Sequence, residues 1–134
     1  TLMDVLAYPQ AGRASDNEAK RALERVGLGR LVARLAEPVR WDRELGDDDQ
    51  RLLAFARVLV QKPDFIVVDE ALDALDAAAR GRVLDALEEG LPEAALVTVG
   101  TAAPADKRLG PVVRLRFDPN GKALGKGQVK AAGD

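Results

Sequence analysis

Asp69 and Glu70 follow directly on the apolar run Phe65-Ile66-Val67-Val68. A pair of carboxylates at the carboxyl end of a strand stands where open α/β sheets receive their ligands. There Asp69 is suited to Mg²⁺, a hard cation that takes one or two carboxylates and keeps part of its water shell. Glu70 is suited to orienting or deprotonating a water that attacks a phosphate. A strand that ends in acids also has a plain solvation role, and Val-Val-Asp-Glu alone does not separate the two.

What the chain lacks narrows the chemistry. It has no cysteine and no histidine, which removes disulfides, thiolate metal sites, Ser-His-Asp triads and any imidazole-dependent step supplied from these residues. The phosphate-cradling pattern G-x-x-x-x-G-K-[ST] is absent; Gly121-Lys122 and Gly125-Lys126 have neither the upstream glycine nor the following Ser or Thr. A net charge of -2 and an aromatic content of 4% argue against nucleic acid as a partner.

The 134 residues make one domain or part of one, and because that length is short for a complete α/β domain with a helical insertion the chain is read as a piece of a longer protein. No apolar run approaches the roughly 20 residues that cross a bilayer, and the first residues lack a signal-peptide pattern. The segment is expected to be soluble, with any membrane connection made through a partner or further polypeptide.

The elements that position the two acids read as follows. Thr1 with Asp4, and Ser15 with Glu18, form capping boxes. Ala19, Ala22, Leu23 and Val26 recur at helical spacing until Gly27, and Leu31, Val32 and Leu35 mark another short helix before Pro38. Trp41 is expected to pack across this layer. From about 48 to 60 the pattern is helical, with Leu52, Phe55, Ala56 and Leu59 on one face, and Asp47 with Gln50 is expected to cap it. After Pro63, residues 65–68 read as a strand buried on both faces of a parallel sheet. A helix over 76–89 and a strand over 94–99 complete a βαβ unit. Val113, Leu115 and Phe117 alternate with arginines, and Asp118-Pro119-Asn120-Gly121 turns into a return strand near Ala123-Leu124. The organisation is a helical subdomain over 1–60, a core over 61–124 and a loose tail over 125–134.

In order and spacing, Lys62-Pro63, the apolar strand, Asp69-Glu70 and Ala74-Leu75-Asp76 resemble the second half of an ABC-transporter ATPase domain. Leu6-Ala7-Tyr8-Pro9, Val26 to Leu31, Trp41 and Leu53-Ala54-Phe55-Ala56-Arg57 are similar to the bacterial branch related to peroxisomal fatty-acyl and SbmA/BacA-type transporters. The resemblance runs from Thr1 to about Phe117. It implies an α/β fold that is part of a P-loop NTPase: a helical subdomain, a parallel βαβ core and a C-terminal hairpin. The phosphate loop and Q-loop would precede this chain.

The resemblance further implies ATP and Mg²⁺ as cofactors of the parent protein, Asp69 for the metal and Glu70 for the attacking water. It implies as partners the preceding half of the ATPase domain, a transmembrane domain and a second ATPase domain, at the cytoplasmic face of a bacterial inner membrane. In the family a Leu-Ser-x-Gly-Glu signature touches the γ-phosphate held by the opposite subunit; Leu45, Gly46, Asp47, Asp48 and Asp49 stand there in this chain. Gly46, Asp48, Asp76 and Thr101 take the remaining nucleotide-contact positions, Thr101 where the family has its switch histidine and Asp76 at the dimer-facing D-loop. An acidic helix start and a threonine for an imidazole predict weak or absent hydrolysis. Two other readings stay open: a non-catalytic ATPase-like domain kept for dimerisation or regulation, and an unrelated Mg²⁺-using receiver-like module, for which the chain has no clear phosphoacceptor pattern.

Overall fold

Side-chain caps start the first two helices. Asp4 N–H donates to Thr1 Oγ1 at 3.2 Å while the Thr1 ammonium and hydroxyl donate back to the Asp4 carboxylate at 2.8 and 2.7 Å, opening α1 (Leu2–Ala7). Ser15 and Glu18 exchange the same pair of bonds at the start of α2 (Asp16–Arg25), and Gly27 leaves that helix at φ 90°, a left-handed geometry that favours glycine. The computed structural model describes residues 1–9, 12, 14–100, 106, 108, 109, 115–117 and 123–126.

A 3₁₀ segment over Gly29–Arg34 and the single turn α3 (Trp41–Glu44) lead into α4 (Asp47–Gln61). The expected apolar faces are the buried ones: Ala19, Ala22, Leu23 and Val26, then Leu52, Leu53, Phe55, Ala56 and Leu59. Helix α4 packs against both α1 and α2, so this layer has a core of its own built around Leu2, Leu6, Leu23 and Leu28. Trp41 is buried in the same layer with the Arg34 guanidinium 4.9 Å from its ring centre.

The start of α4 departs from the expectation. Its N-cap is Gly46, with no side-chain cap bond, and Asp47 is already the first helical residue. Gln50, expected to complete a capping pair, instead donates backward through Nε2 to the Leu45 carbonyl at 2.9 Å and the Asp42 carbonyl at 3.2 Å. The Asp42 carbonyl belongs to the single turn α3 and the Leu45 carbonyl to its C-cap, and the Gln50 amide bonds both at that helix end.

Beyond α4 the chain forms β1 (Phe65–Asp69), α5 (Ala77–Gly90) and β2 (Ala95–Val99). The two strands are parallel, in a register running from Phe65 opposite Ala95 to Asp69 opposite Val99. Val83, Leu84 and Leu87 of α5 are buried, as their spacing requires. The expectation that residues 65–68 are buried on both faces is corrected. Ile66 and Val68 are buried while Phe65 and Val67 are 59% and 61% exposed, and Val97 and Val99 are exposed with them. Among the described residues this sheet has two strands, and only one of its faces is packed over. An uninterrupted apolar run signals burial on both faces but does not say which polypeptide supplies the second cover.

These elements form one compact unit, Thr1–Gly100, and Thr101–Asp134 forms another. The second contains an antiparallel pair, β3 (Leu115–Phe117) and β4 (Ala123–Lys126), with an irregularity between Leu115 and Phe117. Strand β4 runs two residues into the stretch the sequence assigns to a tail. The turn expected at 118–121 and Thr101 lie outside the described residues.

Candidate functional site

Strand β1 delivers Asp69 as its last residue, and the backbone turns at Glu70. Glu70 has φ 54°, the left-handed region that non-glycine residues seldom occupy. The turn is held on both sides: Glu70 N–H donates to the Val99 carbonyl at 2.8 Å, and the Glu70 carbonyl accepts from Asp73 and Ala74 N–H at 3.1 and 3.3 Å. Side chains that would alternate along a strand are therefore redirected, leaving the Asp69 and Glu70 carboxylates both exposed at the carboxyl end of the sheet.

Between the first half of α4 and β1 lies an open cleft of about 450 Å³ lined by, among others, Asp47, Gln50, Arg51, Phe55, Val67 and Asp69. The fold thus brings Asp69 and the N-terminus of α4 to one cleft. The unbonded N–H groups of a helix start and its dipole attract anions, whereas carboxylates beside them repel one. Here two of the three acids have arginine partners: Arg51 meets Asp48 at 2.9 Å, and Arg30 pairs with Asp49. The expected self-cap by Asp47 and Gln50 is absent, and the acidic cluster is partly neutralised; both findings reduce the obstruction that the sequence implied at this helix start.

Asp76 is placed differently from Asp69 and Glu70. Its Oδ1 accepts from Ala79 N–H at 2.8 Å and so serves as the N-cap of α5. Asp73, at the position before Ala74, has its carboxylate against Gly100, so closely that a methyl group at residue 100 would overlap it. The turn between Glu70 and Asp76 also engages Arg80, whose guanidinium donates to main-chain carbonyls of that turn. Sequence reading missed Arg80; the usable signal was an arginine four residues beyond the cap Asp76, one helical turn along the same face.

The donor set suits Mg²⁺ in a limited sense. Among the described residues no group of three or more His, Cys, Asp or Glu converges to hold a metal. An exposed carboxylate such as Asp69 fits a cation that keeps its waters and takes the rest of its oxygens from phosphates, not one held in an all-protein cage. Asp69 would hold it and Glu70 stands next in the chain; bound there, the cation would neutralise developing phosphate charge.

No protein-family model matches the chain. It is 35% identical over 100 residues, 74% of the chain, to an uncharacterized ABC transporter ATP-binding protein of Haemophilus influenzae, covering 17% of that protein. The phosphonates import ATP-binding protein PhnC of Nocardia farcinica is 36% identical over 134 residues, 94% of the chain and 47% of PhnC. The homologues of this chain are ABC-transporter ATP-binding proteins. A phosphate-import ATP-binding protein PhnC of Mycolicibacterium smegmatis is likewise 36% identical over 110 residues, covering 38% of that protein. The chain therefore spans well under two thirds of the length of these ABC proteins. Its helices and small parallel sheet are consistent with part of a P-loop ABC ATPase fold. Import subunits stand among the relatives, so the likeness reaches the ABC ATP-binding proteins as a group and does not single out the SbmA/BacA-type branch. Among the described residues no helix is long and apolar enough to cross a membrane.

Proposed function

We propose that this chain is the part of an ABC-transporter ATP-binding subunit that supplies the metal-side and water-side carboxylates, Asp69 for Mg²⁺ and Glu70 for the attacking water. The observation that carries the reading is Glu70 itself. A non-glycine residue held at positive φ directly after a strand-terminal aspartate is backbone strain at the place where the chemistry would need it. Residues 1–60 act as the helical subdomain and 61–124 as part of the catalytic core. The triphosphate cradle comes from polypeptide outside these residues, since no phosphate loop occurs within them.

In that setting ATP and Mg²⁺ are bound by the longer protein. A second ATPase domain faces the α4 start, where Gly46 and Asp48 take signature positions, and a membrane domain at the cytoplasmic face of a bacterial inner membrane uses the energy for transport. The residues around Tyr8-Pro9 and Trp41 favour the SbmA/BacA-type branch within the family. Glu70→Gln in a longer protein that carries both this chain and a phosphate loop is expected to abolish turnover while MgATP still binds. Unchanged turnover would remove Glu70 from the role.

A second reading is favoured by Asp47, Asp48 and Asp49 at the signature positions and by Thr101 where the family has a histidine. A threonine does not replace an imidazole that reaches the γ-phosphate. On this reading the domain binds nucleotide or a second subunit without hydrolysis, for dimerisation or regulation of a membrane partner, and the isolated chain is not catalytic. MgATP binding with no phosphate release from wild type, in the same longer protein, separates it from the first.

A further inference from the structure

Arg80 stands in the first turns of α5, half-buried, and reaches back over the segment that joins the two candidate acids to that helix. Its Nε donates to the Leu72 carbonyl at 2.9 Å, and its Nη2 to the carbonyls of Leu75 at 3.2 Å and Asp73 at 3.5 Å. A planar guanidinium fork thus gathers three acceptors from four successive residues. These carbonyls belong to a turn, outside helix and strand, where backbone acceptors otherwise depend on water.

The other side of the same turn is tied to Glu70. Asp73 and Ala74 N–H both donate to the Glu70 carbonyl, and Leu75 N–H donates to Leu72 at 3.3 Å. A residue at positive φ persists only where its surroundings over-determine it. The surroundings here are the Val99 carbonyl on one side and the turn on the other, and Arg80 grips that turn at three points. Leu72 and Leu75 are buried and anchor the turn independently, so loss of the fork is expected to loosen it without unfolding the unit.

We propose that Arg80 is the positioning residue for Glu70: its fork fixes the 72–75 turn, and the turn holds Glu70 in the left-handed conformation that aims its carboxylate off the end of β1. The proposal rests on the reading of Glu70 as the water-orienting group. It gives the position a requirement for arginine, because a lysine ammonium is a point charge on a flexible stem and lacks the planar fork.

The test uses the 134-residue chain, with Arg80→Ala and Arg80→Lys, read by NMR. In wild type the one-bond Cα–Hα coupling of Glu70 reports positive φ. Both variants are expected to shift it toward the averaged value of a negative-φ residue, and to speed amide exchange of Asp73, Ala74 and Leu75 by about tenfold or more, with Val83 and Leu84 in α5 unchanged within about twofold. Arg80→Lys covers the case in which Arg80→Ala does not fold. A Glu70 coupling that stays at its wild-type value in a folded variant overturns the proposal, even if exchange in the turn quickens, since Arg80 would then only stabilise the turn. Glu70→Gln in the longer protein reports on the underlying reading separately: full turnover there removes Glu70 from catalysis and leaves the coupling result to stand as conformational.

Discussion

Lys62 Nζ donates to Glu18 Oε1 at 2.6 Å and ties the left-handed C-cap of α4 to the first turn of α2, 44 residues away in sequence. Glu18 therefore has two tasks, since its other oxygen accepts from Ser15 N–H at 3.0 Å within the capping box. The Lys62 bond first, and the Ser15 donors after it, hold the Glu18 carboxyl at about 2, down from the ordinary 4.5. A carboxylate depressed by folding contributes stability that is fully present above its unfolded value and is lost as pH falls through the folded one. The contribution should drain away between 4.5 and 2. Lys62→Met is expected to flatten that part of the stability curve, measured by urea unfolding at a series of acid pH values; an unchanged curve would mean the pair contributes nothing in solution.

The capping boxes and helical faces were legible because they are local. Ser15 and Glu18 meet across a single turn, and a period of 3.6 residues fixes which of Ala19, Ala22 and Leu23 face inward. Asp47 and Gln50 share the spacing of Ser15 and Glu18 but do not form the same motif, because Gly46 takes the N-cap position and the carbonyls of Asp42 and Leu45 compete for the Gln50 amide. Sequence spacing does not reveal that competition. The acids at the end of β1 were readable from their place after an apolar run, whereas the left-handed turn at Glu70 and the Arg80 fork depend on tertiary closure against Val99 and α5.

Leu23 tests the independence of the helical layer. It is fully buried, on a helix that packs against α4. Leu23→Ala should cost about 2–5 kcal/mol, the range for removing a buried leucine side chain. Thermal unfolding followed by circular dichroism would read it, and a loss much below that range would mean the layer collapses around the gap.

Asp76 separates a capping role from a charge role. Its Oδ1 accepts from Ala79 N–H at 2.8 Å, a bond an asparagine oxygen can also accept. Asp76→Ala should lower stability by about 1 kcal/mol, and Asp76→Asn by only a few tenths. If the two variants lose equal stability, the charge matters to the fold and the cap does not.

Gly100 and Asp73 should be energetically coupled. A methyl group at Gly100 would overlap the Asp73 carboxylate, so Gly100→Ala forces that side chain to move, at a cost of about 1–3 kcal/mol. Made in an Asp73→Ala background, the same substitution should cost less, giving an interaction energy of about 0.5–3 kcal/mol in a double-mutant cycle. Additive losses would place the strain elsewhere.

The one-sided burial of β1 makes neighbouring valines unequal. Val67 is 61% exposed and Val68 is 6% exposed, on opposite faces of the same strand. Threonine keeps the β-branched shape and replaces a methyl by a hydroxyl, so substitution at the two positions differs mainly in whether that hydroxyl meets water. Val67→Thr should stay within about 0.5 kcal/mol of wild type. Val68→Thr, which buries a hydroxyl, should lose about 1–3 kcal/mol. Equal losses in the 134-residue chain would mean that the face carrying Phe65, Val67, Val97 and Val99 is covered in solution. The same pair of substitutions in a longer protein gives the complementary reading. There the polypeptide that supplies the rest of the fold would cover that face, and the cost at Val67 should rise toward the cost at Val68.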